Sequence, residues 1–121
     1  MRTRKIAVYG SLREGQSNFK YFKSRYPDIK VIKNNHRIEG FKLYSLGTYP
    51  AIRPGNGSVE VDILEVPKLC FGQITQMELG AGYSAMEIFV DNEQVILYPY
   101  ERDIDPRRIV ESGNWNEFNK R

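Results

Sequence analysis

The chain has 121 residues, enough for one compact domain spanning 1–121 and too few for two. Apolar residues make up 40%, charged residues 27% and aromatics 12%, a mixture that closes a core and excludes a disordered chain. Eighteen Lys and Arg face fifteen Asp and Glu for a net charge of +3. The basic residues are spread along the chain rather than gathered in the dense stripe typical of nucleic-acid binders, so no nucleic-acid partner is expected. No apolar run reaches the roughly eighteen residues of a membrane span, and no signal-type apolar stretch follows Met1-Arg2-Thr3-Arg4-Lys5, so the expectation is a cytoplasmic protein with no membrane partner. One cysteine, Cys70, and one histidine, His36, exclude an internal disulfide and zinc-finger chemistry.

In chain order, Ile6 and Val8 alternate with Ala7 and Tyr9, predicting a strand over 5–9 that runs into the turn-prone Gly10-Ser11-Leu12. Ser17 is the expected cap of a short helix whose Phe19, Phe22 and Tyr26 share one face, and Pro27 ends it. Residues 29–32 and 37–44 read as strands interrupted by Asn34-Asn35 and Gly40, and 45–58 as a loop punctuated by glycine and proline. Alternation over Val59–Leu64 predicts a further strand. Pro67 opens a helix expected to stop before Gly80. Strands over 85–90 and 94–100 flank Asp91-Asn92-Glu93 as a hairpin, and Trp115 and Phe118 in the tail are candidates to dock on the body. About six strands without parallel βαβ alternation predict an α+β fold: a small mixed, mainly antiparallel β-barrel with short flanking helices.

Two stretches carry candidate chemistry. After the first strand, Tyr9-Gly10-Ser11-Leu12 exposes consecutive N–H groups that a carboxylate or phosphate can approach closely past glycine, although a glycine there also makes an ordinary turn. The spacing Gly10 to Gly15 imitates a phosphate loop, but Gln16 stands where that motif requires lysine, which argues against nucleotide hydrolysis. The second stretch is Met77-Glu78-Leu79-Gly80. On the last helical turn the macrodipole disfavours an anion, so Glu78 is a candidate general base with a raised pKa as well as a candidate surface glutamate. Cys70 has no neighbouring base and reads as a core residue. With one histidine, neither a metal cluster nor a histidine-based triad is readily assembled.

Five segments, taken together, resemble the γ-glutamylcyclotransferase-like superfamily. They are Val8-Tyr9-Gly10-Ser11-Leu12-Arg13 with Gly15 and Asn18, then Tyr49-Pro50-Ala51, Gly57-Ser58-Val59-Glu60-Val61-Asp62, Met77-Glu78-Leu79-Gly80 with Tyr83, and Ser112-Gly113-Asn114-Trp115. The resemblance covers almost the whole chain in order. It implies a small mixed barrel, a catalytic Glu78, and substrate binding by Tyr9, Gly10, Ser11, Leu12 and Tyr83. It further implies a γ-glutamyl small-molecule substrate cyclised to 5-oxoproline with release of an amine, and no cofactor or metal. Val61 and Asp62 replace the family's usual strand glycine and glutamate, a change expected to narrow or reshape the pocket floor, and Ser84-Ala85 replaces a common basic residue. A non-catalytic protein binding a γ-glutamyl or amine ligand is the second reading, and a nucleic-acid-associated protein the third.

Overall fold

A computed structural model describes residues 2–120; Met1 and Arg121, the ends of the expected domain, lie outside the described residues. The elements are β1 (Thr3–Val8), α1 (Ser17–Arg25), β2 (Lys30–Ser45), β3 (Pro50–Pro67), α2 (Lys68–Gly80), β4 (Met86–Val90), β5 (Glu93–Leu97), a 3₁₀ turn (Pro106–Arg108) and α3 (Trp115–Asn119). Five strands form one curled half-barrel in the order β2-β3-β1-β5-β4. Only β1 and β5 run parallel, with Ile6 opposite Ile96; the other pairs are antiparallel. The expected α+β fold with a mainly antiparallel curled sheet is the one observed. No helix among the described residues is long and apolar enough to cross a membrane.

The period-2 pattern of β1 divides the core. Ala7 and Tyr9 face the concave interior with Leu43, Ile52, Val61 and Trp115. Ile6 and Val8 face the other way, where Phe19 and Phe22 of α1 and Cys70 and Ile74 of α2 cover them. Because β1 is buried on both faces, helix α2 is held against the strand whose end opens into the Gly10 loop. Tyr26 caps α1 from outside the helix, and Ser17 is its first helical residue; Gln16 occupies the cap without a side-chain bond, so the expected capping role of Ser17 is not realised.

Two further expectations need correction. The strands foreseen over 29–32 and 37–44 are one strand, because Asn35 (φ 54°) and Gly40 (φ 89°) are absorbed as register shifts against β3 instead of breaking the ladder. The loop foreseen over 45–58 shrinks to a tight turn at 46–49, closed by the Leu46 N–H donating to the Tyr49 carbonyl (2.8 Å). Pro50 and Pro54 enter β3 because β1 pairs only with its residues 62–67, so the prolines face no second ladder. The count therefore falls from six strands to five. The expected hairpin forms, but its turn is two residues rather than three: Asp91 and Asn92 have positive φ, and Glu93, already in β5, pairs with Val90. The β5 strand stops at Leu97. Trp115 is buried at the start of α3, which Asn114 caps by accepting from the Glu117 N–H (3.3 Å).

Candidate active site

A cavity of about 500 Å³ opens between the end of β1, the β2–β3 turn and the end of α2. Tyr9, Gly10, Ser11 and Leu12 line it together with Glu78 and Tyr83, which lie 66 to 74 positions further along the chain. All six residues singled out from the sequence therefore meet in one place.

Glu78 stands on the last turn of α2 and is half-buried. Its carbonyl accepts from the N–H groups of Ala81 and Tyr83 (3.1 and 3.0 Å), which ends the helix and, through Gly82 (φ 100°), turns Tyr83 back towards the cavity. Burial pushes the Glu78 carboxyl up from 4.5 to about 7. The direction matches the expectation, but the cause does not: loss of solvent raises it, where the sequence pointed to the helix dipole.

Three phenols surround this carboxyl and are committed elsewhere. Tyr9 donates to the Tyr98 carbonyl (2.6 Å), Tyr83 to the Pro50 carbonyl (2.6 Å), and the Tyr98 hydroxyl pairs with Thr75 Oγ1 (2.8 Å). Burial, then the nearby phenol of Tyr83 and the charge of Glu78, hold Tyr9 well above its ordinary value. Burial and Glu78 also raise Tyr83, and burial raises Tyr98 to about 12. All three stay neutral at physiological pH. They form a fixed, uncharged wall around one titrating group.

The loop opposite offers donors without charge. The Gly10 carbonyl accepts from the Arg13 N–H (3.1 Å) and the Ser11 carbonyl from the Phe19 N–H (3.0 Å), while the N–H groups of Gly10, Ser11 and Leu12 donate to nothing among the described residues. Asn18 donates to the Ser11 hydroxyl (2.8 Å) and orients it. Glycine is required at position 10 because a Cβ there would lie 2.8 Å from Pro50 Cγ.

Val61 and Asp62, expected to reshape the pocket floor, act elsewhere, as does Ser84. Val61 packs in the concave core, Asp62 sits behind the loop, and Ser84 donates to Glu101 (3.0 Å); none lines the cavity. A sequence pattern places residues on a strand face but does not say which end of the half-barrel opens. The residues the sequence reading passed over are Arg13, which anchors the loop from behind, and Leu46, Met77, Tyr98 and Tyr100, which complete the wall. Tyr98 and Tyr100, on alternate positions beyond β5, carried a signal in their spacing. The position of Leu46 carried none.

Comparison with known proteins agrees with this architecture. The chain is 30% identical over 117 residues to the gamma-glutamylcyclotransferase family protein YtfP of Escherichia coli, covering 96% of this chain and 99% of that one. The crystal structure of PH0828 from Pyrococcus horikoshii superposes with a TM-score of 0.80 at 27% identity, covering 97% of this chain and 93% of that chain. An AIG2-like protein from Mus musculus shares the fold, with a TM-score of 0.70 at 21% identity over 94% of this chain and 88% of that one. The profile of the family described as gamma-glutamyl cyclotransferase, AIG2-like, matches residues 6–117. With sequence, fold and family profile in agreement along nearly its full length, this chain belongs to the gamma-glutamyl cyclotransferase, AIG2-like family.

Proposed function

We propose that the protein is an enzyme that cyclises the glutamyl part of a γ-glutamyl amine, peptide or conjugate to 5-oxoproline and releases the amine. The observation that carries this reading is a half-buried carboxyl, raised by loss of solvent to about 7, that lines one cavity with a loop whose N–H groups have no partner among the described residues. A γ-glutamyl compound presents an α-carboxylate and an α-ammonium group, the latter titrating at roughly 8. The N–H groups of Gly10, Ser11 and Leu12 complement the carboxylate; among the described residues no cationic side chain lines the cavity.

Glu78, ionised, takes a proton from the α-ammonium. The freed amine attacks the γ-carbonyl carbon, closing a five-membered ring. Protonated Glu78 then delivers its proton to the leaving nitrogen as the carbon–nitrogen bond breaks. A second proton, from the ring nitrogen, follows the same route, so the amine leaves as an ammonium ion and Glu78 ends ionised. A group titrating near the working pH suits both directions of transfer and is worth about 10²–10⁴-fold. Holding the glutamyl chain folded for attack contributes further, up to about 7–11 kcal/mol in the best intramolecular cases.

The test is a panel of γ-glutamyl compounds incubated with the protein, with 5-oxoproline read by mass spectrometry. Release that disappears in Glu78→Gln supports the reading. Binding without release in the wild type would identify a ligand-binding protein of the same fold.

A further inference from the structure

Among the described residues, the wall of the cavity is charged in one place: no Lys or Arg and not His36 lines it, and Glu78 is the one acidic residue that does. Arg13, the one cation within the loop, is bonded behind it to Glu60 and Asp62. A volume of about 500 Å³ falls within the roughly 300–1,000 Å³ of sites that enclose a whole small molecule, so room remains beside the glutamyl part.

The lining of that space is of two chemistries. Free N–H donors, Ser11 and Asn18 gather at the loop. The β2–β3 turn and the end of α2 contribute Leu46, Pro50, Met77 and Ala81, with the rings of Tyr49 and Tyr100. Tyr49 is 65% exposed and Met77 38% exposed, two large side chains on separate elements that stand at the cavity without being buried by the fold. A carboxylate placed among them would lose water, meet no cation and be repelled by Glu78. An ammonium group there would pair with Glu78 and hold it ionised, removing the acid that the leaving nitrogen needs. An uncharged hydrocarbon end meets neither cost and covers exposed apolar surface.

We propose that the amine side of the substrate is an uncharged, apolar alkyl or aryl group, with Leu46, Tyr49 and Met77 setting this preference; the proposal rests on the cyclotransferase reading of the same site.

Three γ-glutamyl amides of matched length test it, made from 1-aminobutane, 4-aminobutanoate and 1,4-diaminobutane. Affinities are measured by calorimetry on the full chain carrying Glu78→Gln, and 5-oxoproline release on the wild type. With Glu78 neutralised only the desolvation of the charged ends separates the three, so the butylamide should bind about tenfold or more tightly than either charged analogue; on the wild type, where the Glu78 charge also acts, kcat/KM should follow the same order. Tyr49→Arg in the Glu78→Gln background should narrow the gap to the 4-aminobutanoate amide by about tenfold, because it supplies the missing cation. A charged analogue that binds as tightly as the butylamide overturns the proposal, whatever the turnover. The expected affinity order without 5-oxoproline from any compound supports the apolar preference and removes the cyclotransferase reading. No binding of any of the three overturns both.

Discussion

The guanidinium of Arg13 lies 3.2 Å from the Asp62 carboxylate, with both side chains almost fully buried. Asp62 also accepts from the backbone N–H groups of Glu14 (2.9 Å) and Asn35 (3.0 Å). Arg13 reaches on to Asn35 Oδ1 (2.6 Å), Glu60 Oε2 (3.2 Å) and Asn114 Oδ1 (3.3 Å). The loop that carries the free N–H donors is thereby tied to β2, β3 and the segment before α3. The Arg13 Nε is buried without a partner among the described residues, so the cluster is not fully satisfied there and depends on its remaining bonds.

Removing one member should therefore cost far more than removing the pair. Asp62→Ala leaves a buried cation facing Glu60 alone and should lower the unfolding free energy by about 3–5 kcal/mol in urea titrations. Arg13→Met combined with Asp62→Leu should recover much of that loss. A cost below about 1 kcal/mol for Asp62→Ala would show that the ion pair does not hold the loop.

Glu78→Gln preserves shape and much of the polarity but cannot take the ammonium proton. Turnover should fall by about two to four orders of magnitude while ligand affinity survives, since the loop still holds the α-carboxylate. Rates of 5-oxoproline release set beside calorimetric affinities decide this. Wild-type turnover in the variant would refute the proton-transfer role.

The pH dependence has two signs. As a base, Glu78 must be ionised, so kcat/KM should rise with pH through about 7, and this limb should vanish from whatever activity Glu78→Gln retains. For stability the sense reverses. The folded pKa, about 7, lies above the ordinary 4.5, so the folded state holds its proton longer than the unfolded chain. The stabilisation from Glu78 is full below about pH 4.5 and is lost as pH rises through 7. Thermal unfolding of Glu78→Gln should therefore gain on the wild type as pH rises from 4.5 to about 7.

Tyr83→Phe should leave turnover within about tenfold, because the hydroxyl already donates to the Pro50 carbonyl and its raised pKa makes it a poor base. Its loss should cost about 0.5–1.5 kcal/mol of stability in denaturant melts. Complete inactivation of a folded variant would promote the phenol to a proton carrier.

Gly10→Ala tests the loop geometry directly. The new Cβ would lie 2.8 Å from Pro50 Cγ, so either the loop or the proline must move. A displacement approaching 1 Å should lower kcat/KM by about a hundredfold, read from 5-oxoproline release, with a stability cost of about 1–3 kcal/mol. Unchanged kinetics would show that the N–H cradle plays no part.

Local patterning in the sequence was sufficient for β1, for the buried face of α1, for the last-turn position of Glu78 and for the Asp91-Asn92 turn. Each depends on neighbours within a few residues, where periodicity and backbone preference decide the outcome. The five family-like segments also named the loop and the glutamate that meet in the cavity. Tertiary structure decided the rest. Asn35, Gly40 and Pro54 read locally as breaks, yet β2 and β3 continue through them because each strand absorbs the irregularities of the other. Burial in the cavity wall, not the helix it ends, raised Glu78 to about 7. Arg13 and Asp62, 49 residues apart, acquired their meaning only when antiparallel pairing of β1 with β3 laid Val8 opposite Asp62 and brought the loop beyond β1 within reach of its carboxylate. Desolvation and long-range ion pairing depend on what the folded chain places alongside a residue, and no window of sequence around that residue contains it.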